Sequence, residues 1–160
     1  MRYDTTATRA RMVAAAEQLF SERGIASVSM NEVQRAAGQK NKSALQYHFG
    51  TKELLLQAIL DKHVPGIELR RHQLLDAIEA SGRIEVRELM KALVLPLFEK
   101  LDDPDGGKAY ISVYAQIVGS PGAAERWGDS IRANRGSDRL VRLLDRVVPA
   151  LVLLDLMLPD

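Results

Sequence analysis

The chain has 160 residues, 46% of them apolar and 27% charged, and a formal net charge of +1, which is the mixture of a folded globular protein and excludes a disordered one. With no cysteine it can form no disulfide, no thiolate nucleophile and no cysteine-ligated zinc site. The N-terminus MRYDTTATRARMV lacks the apolar core of a signal peptide, and no run approaches the roughly eighteen apolar residues of a membrane span, so a cytoplasmic protein without a membrane partner is expected.

Period-two runs of β-branched residues are missing and Ala, Leu, Arg and Glu dominate, which predicts an all-α fold. Residues 6–23 place Val13, Ala16, Leu19 and Phe20 on one stripe, with Gly24 as a left-handed stop. The stretch SMNE at 29–32 has the form of a capping box, and Met30, Val33, Ala36 and Ala37 follow at helical spacing up to Gly38. After the turn GQKN, Asn41 can cap a third short helix from Lys42 to Phe49. Gly50 ends it, and Thr51 can cap a fourth from Lys52 to Val64. Helices this short are marginal alone, so the second and third must pack on the longer neighbours.

Pro65-Gly66 is expected to separate that fourth helix from an amphipathic helix at 67–81. A further helix at 84–101 contains Pro96, which should kink or split it. DDPDGG at 102–107 reads as a loop, and it lacks the alternating ligands and closing glutamate of a calcium site. Helices are expected at 108–118 and 137–148, with a broken or short one at 120–133. Leu140, Leu143, Leu144, Val147, Leu151 and Leu154 recur at three- and four-residue steps, which makes the C-terminal stripe the candidate dimer surface.

Charge is unevenly spread. Residues 1–63 hold nine Lys/Arg against six Asp/Glu, whereas 64–160 hold thirteen against fifteen. The basic excess falls with the segment AAGQKNKSALQYHFGTKELL, where Leu45 and Phe49 point inward while Lys42, Ser43, Gln46 and Tyr47 share the opposite side. Two short helices joined by a tight turn, the second exposing polar residues, form a helix-turn-helix. The second helix of such a pair lies in the major groove, where Gln pairs with adenine, Lys with guanine and Ser with either, while flanking Tyr and Lys suit phosphates. The candidate DNA contacts are Lys40, Asn41, Lys42, Ser43, Gln46, Tyr47 and Lys52.

The pieces AAAEQLFSERG, VSMNEVQRAAG and ALQYHFGTKELLLQAIL resemble the TetR family of bacterial transcriptional repressors over roughly residues 8–63. The resemblance implies a three-helix DNA-binding domain on an all-helical ligand-binding and dimerisation domain, acting as a homodimer on a palindromic DNA operator. The domains are then 1–63 and 64–160. The turn from Gly38 to Phe49 is one residue longer than is usual in the family, and Gln46 stands where the family most often has tyrosine. The chain is also short for the family, whose last two helices usually form a four-helix dimer interface.

For a small, largely apolar effector the candidate lining residues are Phe98, Tyr110, Tyr114 and Trp127, the alternative for aromatics at helical spacing being plain core. His63 and His72 lack partners at metal-binding spacing, and His48 reads as a packed or capping side chain. No grouping of His, Cys and carboxylates suggests a catalytic centre, so neither enzyme activity nor a cofactor or metal is expected. A helical protein-interaction module without DNA binding is the other reading, though it would not need the basic polar face at 42–47.

Overall fold

The computed structural model describes residues 5–39, 47–122 and 136–148, and these are helical with no strand among them. The helices are α1 (Thr5–Arg23), α2 (Met30–Ala36), α3 (Lys52–Ala80), α4 (Val86–Glu99), a 3-10 turn at Lys100–Asp102, α5 (Gly107–Val118) and α6 (Gly136–Val147). The all-α expectation holds. Two compact units result: Met1–His63 with Leu101–Ser130, and Val64–Lys100 with Ile131–Asp160. One junction falls between His63 and Val64, and α5 groups with the N-terminal residues.

In the first unit α1 buries Val13, Ala16 and Phe20 of the stripe read from spacing, and also Met12, while Leu19 of that stripe is half-buried. Val28 and Val33 around α2, Phe49 after the turn, Leu55 and Ile59 on the first half of α3, and Tyr110, Val113 and Ile117 on α5 are buried in the same unit. Each aliphatic or aromatic side chain withdrawn in this way contributes about 1.5–3 kcal/mol. That burial stabilises α2, which has only seven residues and could not persist alone.

In the second unit Leu75 and Ile78 of α3, Leu89 and Ala92 of α4, and Leu140 and Leu143 of α6 form one apolar cluster, with Leu144 and Val147 packed against it. Of the six residues of the expected dimer stripe, Leu140 and Leu143 are therefore buried by their own chain, and Leu144 and Val147 partly so. Leu151 and Leu154 lie outside the described residues. The reason is geometric, because the stripe faces two other amphipathic helices of the same unit.

The expected break at Pro65-Gly66 does not occur. α3 runs unbroken for 29 residues with Pro65 inside it. Proline removes the hydrogen bond to the carbonyl four residues back, here Asp61, at a cost of about 3 kcal/mol. Asp61, Pro65 and Gly66 all lie on the exposed side, where water can serve that carbonyl. Leu60, Val64, Ile67, Arg71 and Leu75 run along the buried side, and their packing outweighs the local defect.

Pro96 does not split its helix either, and α4 is continuous from Val86 to Glu99. Here the proline is buried, so water cannot help. The carbonyl it deprives is that of Ala92, and the buried Arg71 guanidinium takes over: Nε donates to the Ala92 oxygen and Nη2 to the Leu93 oxygen, both at 3.3 Å. Glu68, one turn back on α3, pairs with Arg71 and is itself buried. A buried cation needs both the ion pair and full hydrogen bonding, and the gap left by Pro96 supplies acceptors.

Candidate nucleic-acid interface

α2 is fixed at both ends by its own sequence. Ser29, in extended conformation, caps the start: its Oγ accepts from Glu32 N–H at 3.3 Å, and Glu32 Oε2 accepts from Ser29 N–H at 2.8 Å. This is the reciprocal capping box expected from SMNE. Arg23, the last residue of α1, adds an ion pair to Glu32 Oε1 at 2.8 Å and so ties the two helices together. Hydrogen bonds from the Ser29 backbone and hydroxyl, then from Arg23, lower the Glu32 pKa to about 2.

At the other end Gly38 N–H bonds to the Arg35 oxygen at 3.0 Å and Gln39 N–H to the Gln34 oxygen at 3.1 Å. This crossed pair is a Schellman stop. It requires a left-handed residue, and Gly38 has φ +68. The chain is thereby aimed out of α2 immediately before the basic segment.

Lys40, Asn41, Lys42, Ser43 and Gln46 lie outside the described residues, as does Trp127. Tyr47 is described and is 81% exposed, its ring edge-on to His48 at 5.3 Å. Phe49 next to it is buried, with the Arg9 guanidinium of α1 over its ring at 5.1 Å. Phe49 thus faces inward and Tyr47 outward, while the other residues of the two-sided pattern read from the sequence lie outside the described residues. Thr51 caps α3, its Oγ1 accepting from Leu54 N–H at 3.2 Å. Lys52 Nζ donates to the Ile25 carbonyl at 2.9 Å, which pins the first turn of α3 to the α1–α2 turn. An ammonium has three donors, so this bond still leaves two for a phosphate.

The candidate effector residues fall in different places. Tyr110 is 1% exposed and stacks on His63 at 4.4 Å and on Tyr114 at 5.8 Å. Phe98 belongs to the other unit and is 65% exposed. Beneath Tyr110 lies a charged cluster that sequence reasoning missed. Buried Glu17 of α1 sits 2.6 Å from His63 Nε2 and 2.9 Å from Lys62 Nζ, which also reaches Asp105 at 3.0 Å. Burial pulls the Lys62 ammonium down, but its bonds to Glu17 and Asp105 outweigh that and hold its pKa above the usual lysine value. Lys62 and His63 adjoin and a glutamate sits on an otherwise apolar stripe, yet nothing in the spacing places them together across 45 residues.

A cleft of about 480 Å³ opens beside this cluster, lined by alanines and Val13 together with Arg9, Arg11, Asp61, Lys62 and Asp105. None of Phe98, Tyr110 and Tyr114 lines it. Among the described residues no three metal-ligating side chains converge, and no helix is long and apolar enough to cross a membrane.

Described residues that are all helical, with a second helix capped at both ends and a basic stretch next in the sequence, have the build of a helix-turn-helix protein. The model of the bacterial regulatory proteins of the tetR family matches residues 12–59, from the middle of α1 into α3. Over 94 residues the chain is 31% identical to the HTH-type transcriptional regulator TtgR of Pseudomonas putida, covering 59% of this chain and 42% of that protein. A probable HTH-type transcriptional regulator of Pseudomonas putida, ArpR, matches with the same identity and the same coverage. The match thus spans less than half the length of these curated relatives. Among solved structures, the TetR family protein CprB from S. coelicolor A3(2) has the same fold at 22% identity and a TM-score of 0.50, over 91% of this chain and 78% of that one. Residues 12–59 are thus similar to the N-terminal region of the tetR family of bacterial regulatory proteins.

Proposed function

We propose that the protein is a transcription regulator that binds duplex DNA through residues 1–63, acts as a repressor, and recognises a palindromic operator as a homodimer. The observation that carries this reading is the Schellman stop at Gly38, which ends a doubly capped α2 directly before a basic segment and leaves Tyr47 in solvent. A single helix-turn-helix reads one half-site, and two half-sites about 34–36 Å apart require a second copy. A small, largely apolar effector would act through the helices outside that domain, with Tyr114 of α5 as a candidate contact. Tyr110 is sealed from solvent in this structure and contributes to such a site only if it opens. The reading is non-enzymatic and cytoplasmic, as is general in the family.

The test is binding of the full chain to DNA flanking its gene, measured across a salt series. Log affinity should fall by about 0.9 per phosphate contact for each decade of salt. Lys52→Ala should weaken all duplexes alike, whereas Gln46→Ala should change which sequence is preferred. A flat salt dependence would reject DNA binding in favour of a helical interaction module, and a monomer at micromolar concentration by sedimentation equilibrium would reject the dimer.

A further inference from the structure

The turn between α1 and α2 is held by a residue far outside the helix-turn-helix. On α5, the Gln116 side-chain amide meets two backbone groups: Oε1 accepts from Ile25 N–H at 2.9 Å, and Nε2 donates to the Phe20 carbonyl at 3.0 Å. The Phe20 carbonyl also accepts from Gly24 N–H at 3.0 Å, as the last hydrogen bond of α1. Ile25's own carbonyl is taken by Lys52 Nζ. Both polar groups of Ile25 are therefore engaged by helices that come later in the chain. One turn earlier on α5, Ser112 Oγ donates to the Ser21 carbonyl at 3.4 Å.

A glutamine amide suits this position for a definite reason. The turn offers one N–H and one carbonyl, and a primary amide supplies one acceptor and one donor on a single planar group. Carboxylate would lose the donor, and an apolar side chain would lose both. Hydrogen bonds are directional, so this pair fixes where the turn lies as well as that it is covered. Position matters here because the turn sets how α2 leaves α1, and the Schellman stop passes that direction on to the basic segment. Functional side chains must be held to about 0.5 Å to work.

We propose that Gln116 is a positioning residue for DNA recognition, and that α5 is thereby part of the DNA-binding unit without touching DNA. The inference rests on the DNA-binding reading above. It also gives α5 a direct hold on the helix-turn-helix, so that any ligand displacing α5 would reach the turn through this amide.

Duplexes enriched by the full parent chain from a random-sequence pool serve as the probe. Gln116→Met, shown folded by circular dichroism at the assay temperature, should bind them about tenfold more weakly, the equivalent of one or two net hydrogen bonds. The slope of log affinity against log salt should be unchanged, since no phosphate contact is removed, and the Ile25 amide should exchange faster with solvent. If the Met variant does not fold, Gln116→Asn carries the test, being polar but one methylene too short to span both groups, and the same weakening is expected. Parent-like affinity in a folded variant would overturn the proposal while leaving DNA binding intact. A shallower salt slope would overturn it by placing Gln116 on a phosphate. A parent chain that enriches no duplex would remove the DNA-binding reading itself, and the proposal with it.

Discussion

In the unit built from residues 1–63 and 101–130, segments distant in sequence are joined by directional polar bonds: Gln116 to the α1–α2 turn, Lys52 to Ile25, and Glu17 to Lys62 and His63. In the unit built from 64–100 and 131–160, α4 and α6 meet through Leu89, Ala92, Leu140 and Leu143. Its ion pairs Arg70–Glu99 and Arg139–Asp76 lie at the edge. Apolar burial is non-directional and tolerates sliding, while hydrogen bonds set angles. The first unit thus has the chemistry needed to hold a recognition element in place, and the second has the chemistry of a scaffold. The second also leaves Val86, Met90, Val94 and Phe98 exposed at four-residue steps along α4.

That contrast can be broken most forcefully at the point where the scaffold itself depends on polar bonding. Arg71→Met should destabilise the chain by about 3–5 kcal/mol in denaturant unfolding, because it leaves the buried Glu68 carboxylate unpaired and the Ala92 carbonyl below Pro96 unserved. The double variant Arg71→Met with Glu68→Leu should recover much of that loss, and failure to recover would show that the carbonyl contact outweighs the charge.

In the first unit the sharpest single test is Gly106→Ala. Gly106 has φ +83, and a Cβ there would lie 2.6 Å from Glu17 Oε2. Left-handed strain and the clash together should cost about 1–3 kcal/mol, with loss of the Glu17–Lys62 bond visible as a lower Lys62 pKa by NMR. Ser29→Ala should cost about 1 kcal/mol through the α2 cap, measured as a lower melting temperature.

The smallest effect expected is a dependence on acid. Glu32 has a folded pKa of about 2 against an unfolded value near about 4.3. A carboxylate depressed on folding contributes stability that is complete above the unfolded pKa and is lost as pH falls towards the folded one. Parent and Glu32→Gln should therefore differ in stability at neutral pH and converge between about pH 4 and 2. Glu32 is partly exposed to solvent, so the difference should shrink in high salt.

Much of the first unit was legible in the residues. The capping box at Ser29–Glu32, the stop at Ala37-Gly38, the buried stripe of α1 and the inward Phe49 beside outward Tyr47 all follow from local spacing, because caps and helix faces are decided within one or two turns. The family resemblance over residues 8–63 was carried by the same stretches, and the match at 12–59 bears it out. Pro65 was misread and Pro96 does not split its helix, both for a common reason. Local rules count the hydrogen bond a proline removes, but whether the helix survives depends on what replaces it. At Pro65 the replacement is solvent on an exposed face, and at Pro96 it is a guanidinium from another helix.

Sequence alone therefore determined that the described residues are helical, where α2 begins and ends, and that Phe49 turns inward and Tyr47 outward, because these are set by neighbours three or four residues apart. Tertiary structure alone decided that α5 joins the N-terminal residues, that Gln116 grips the α1–α2 turn, that Glu17, Lys62, His63 and Asp105 meet, and that α6 packs its leucines into its own unit. Those outcomes rest on contacts between residues tens of positions apart. No periodicity encodes such contacts, and only the packing of whole helix faces selects them.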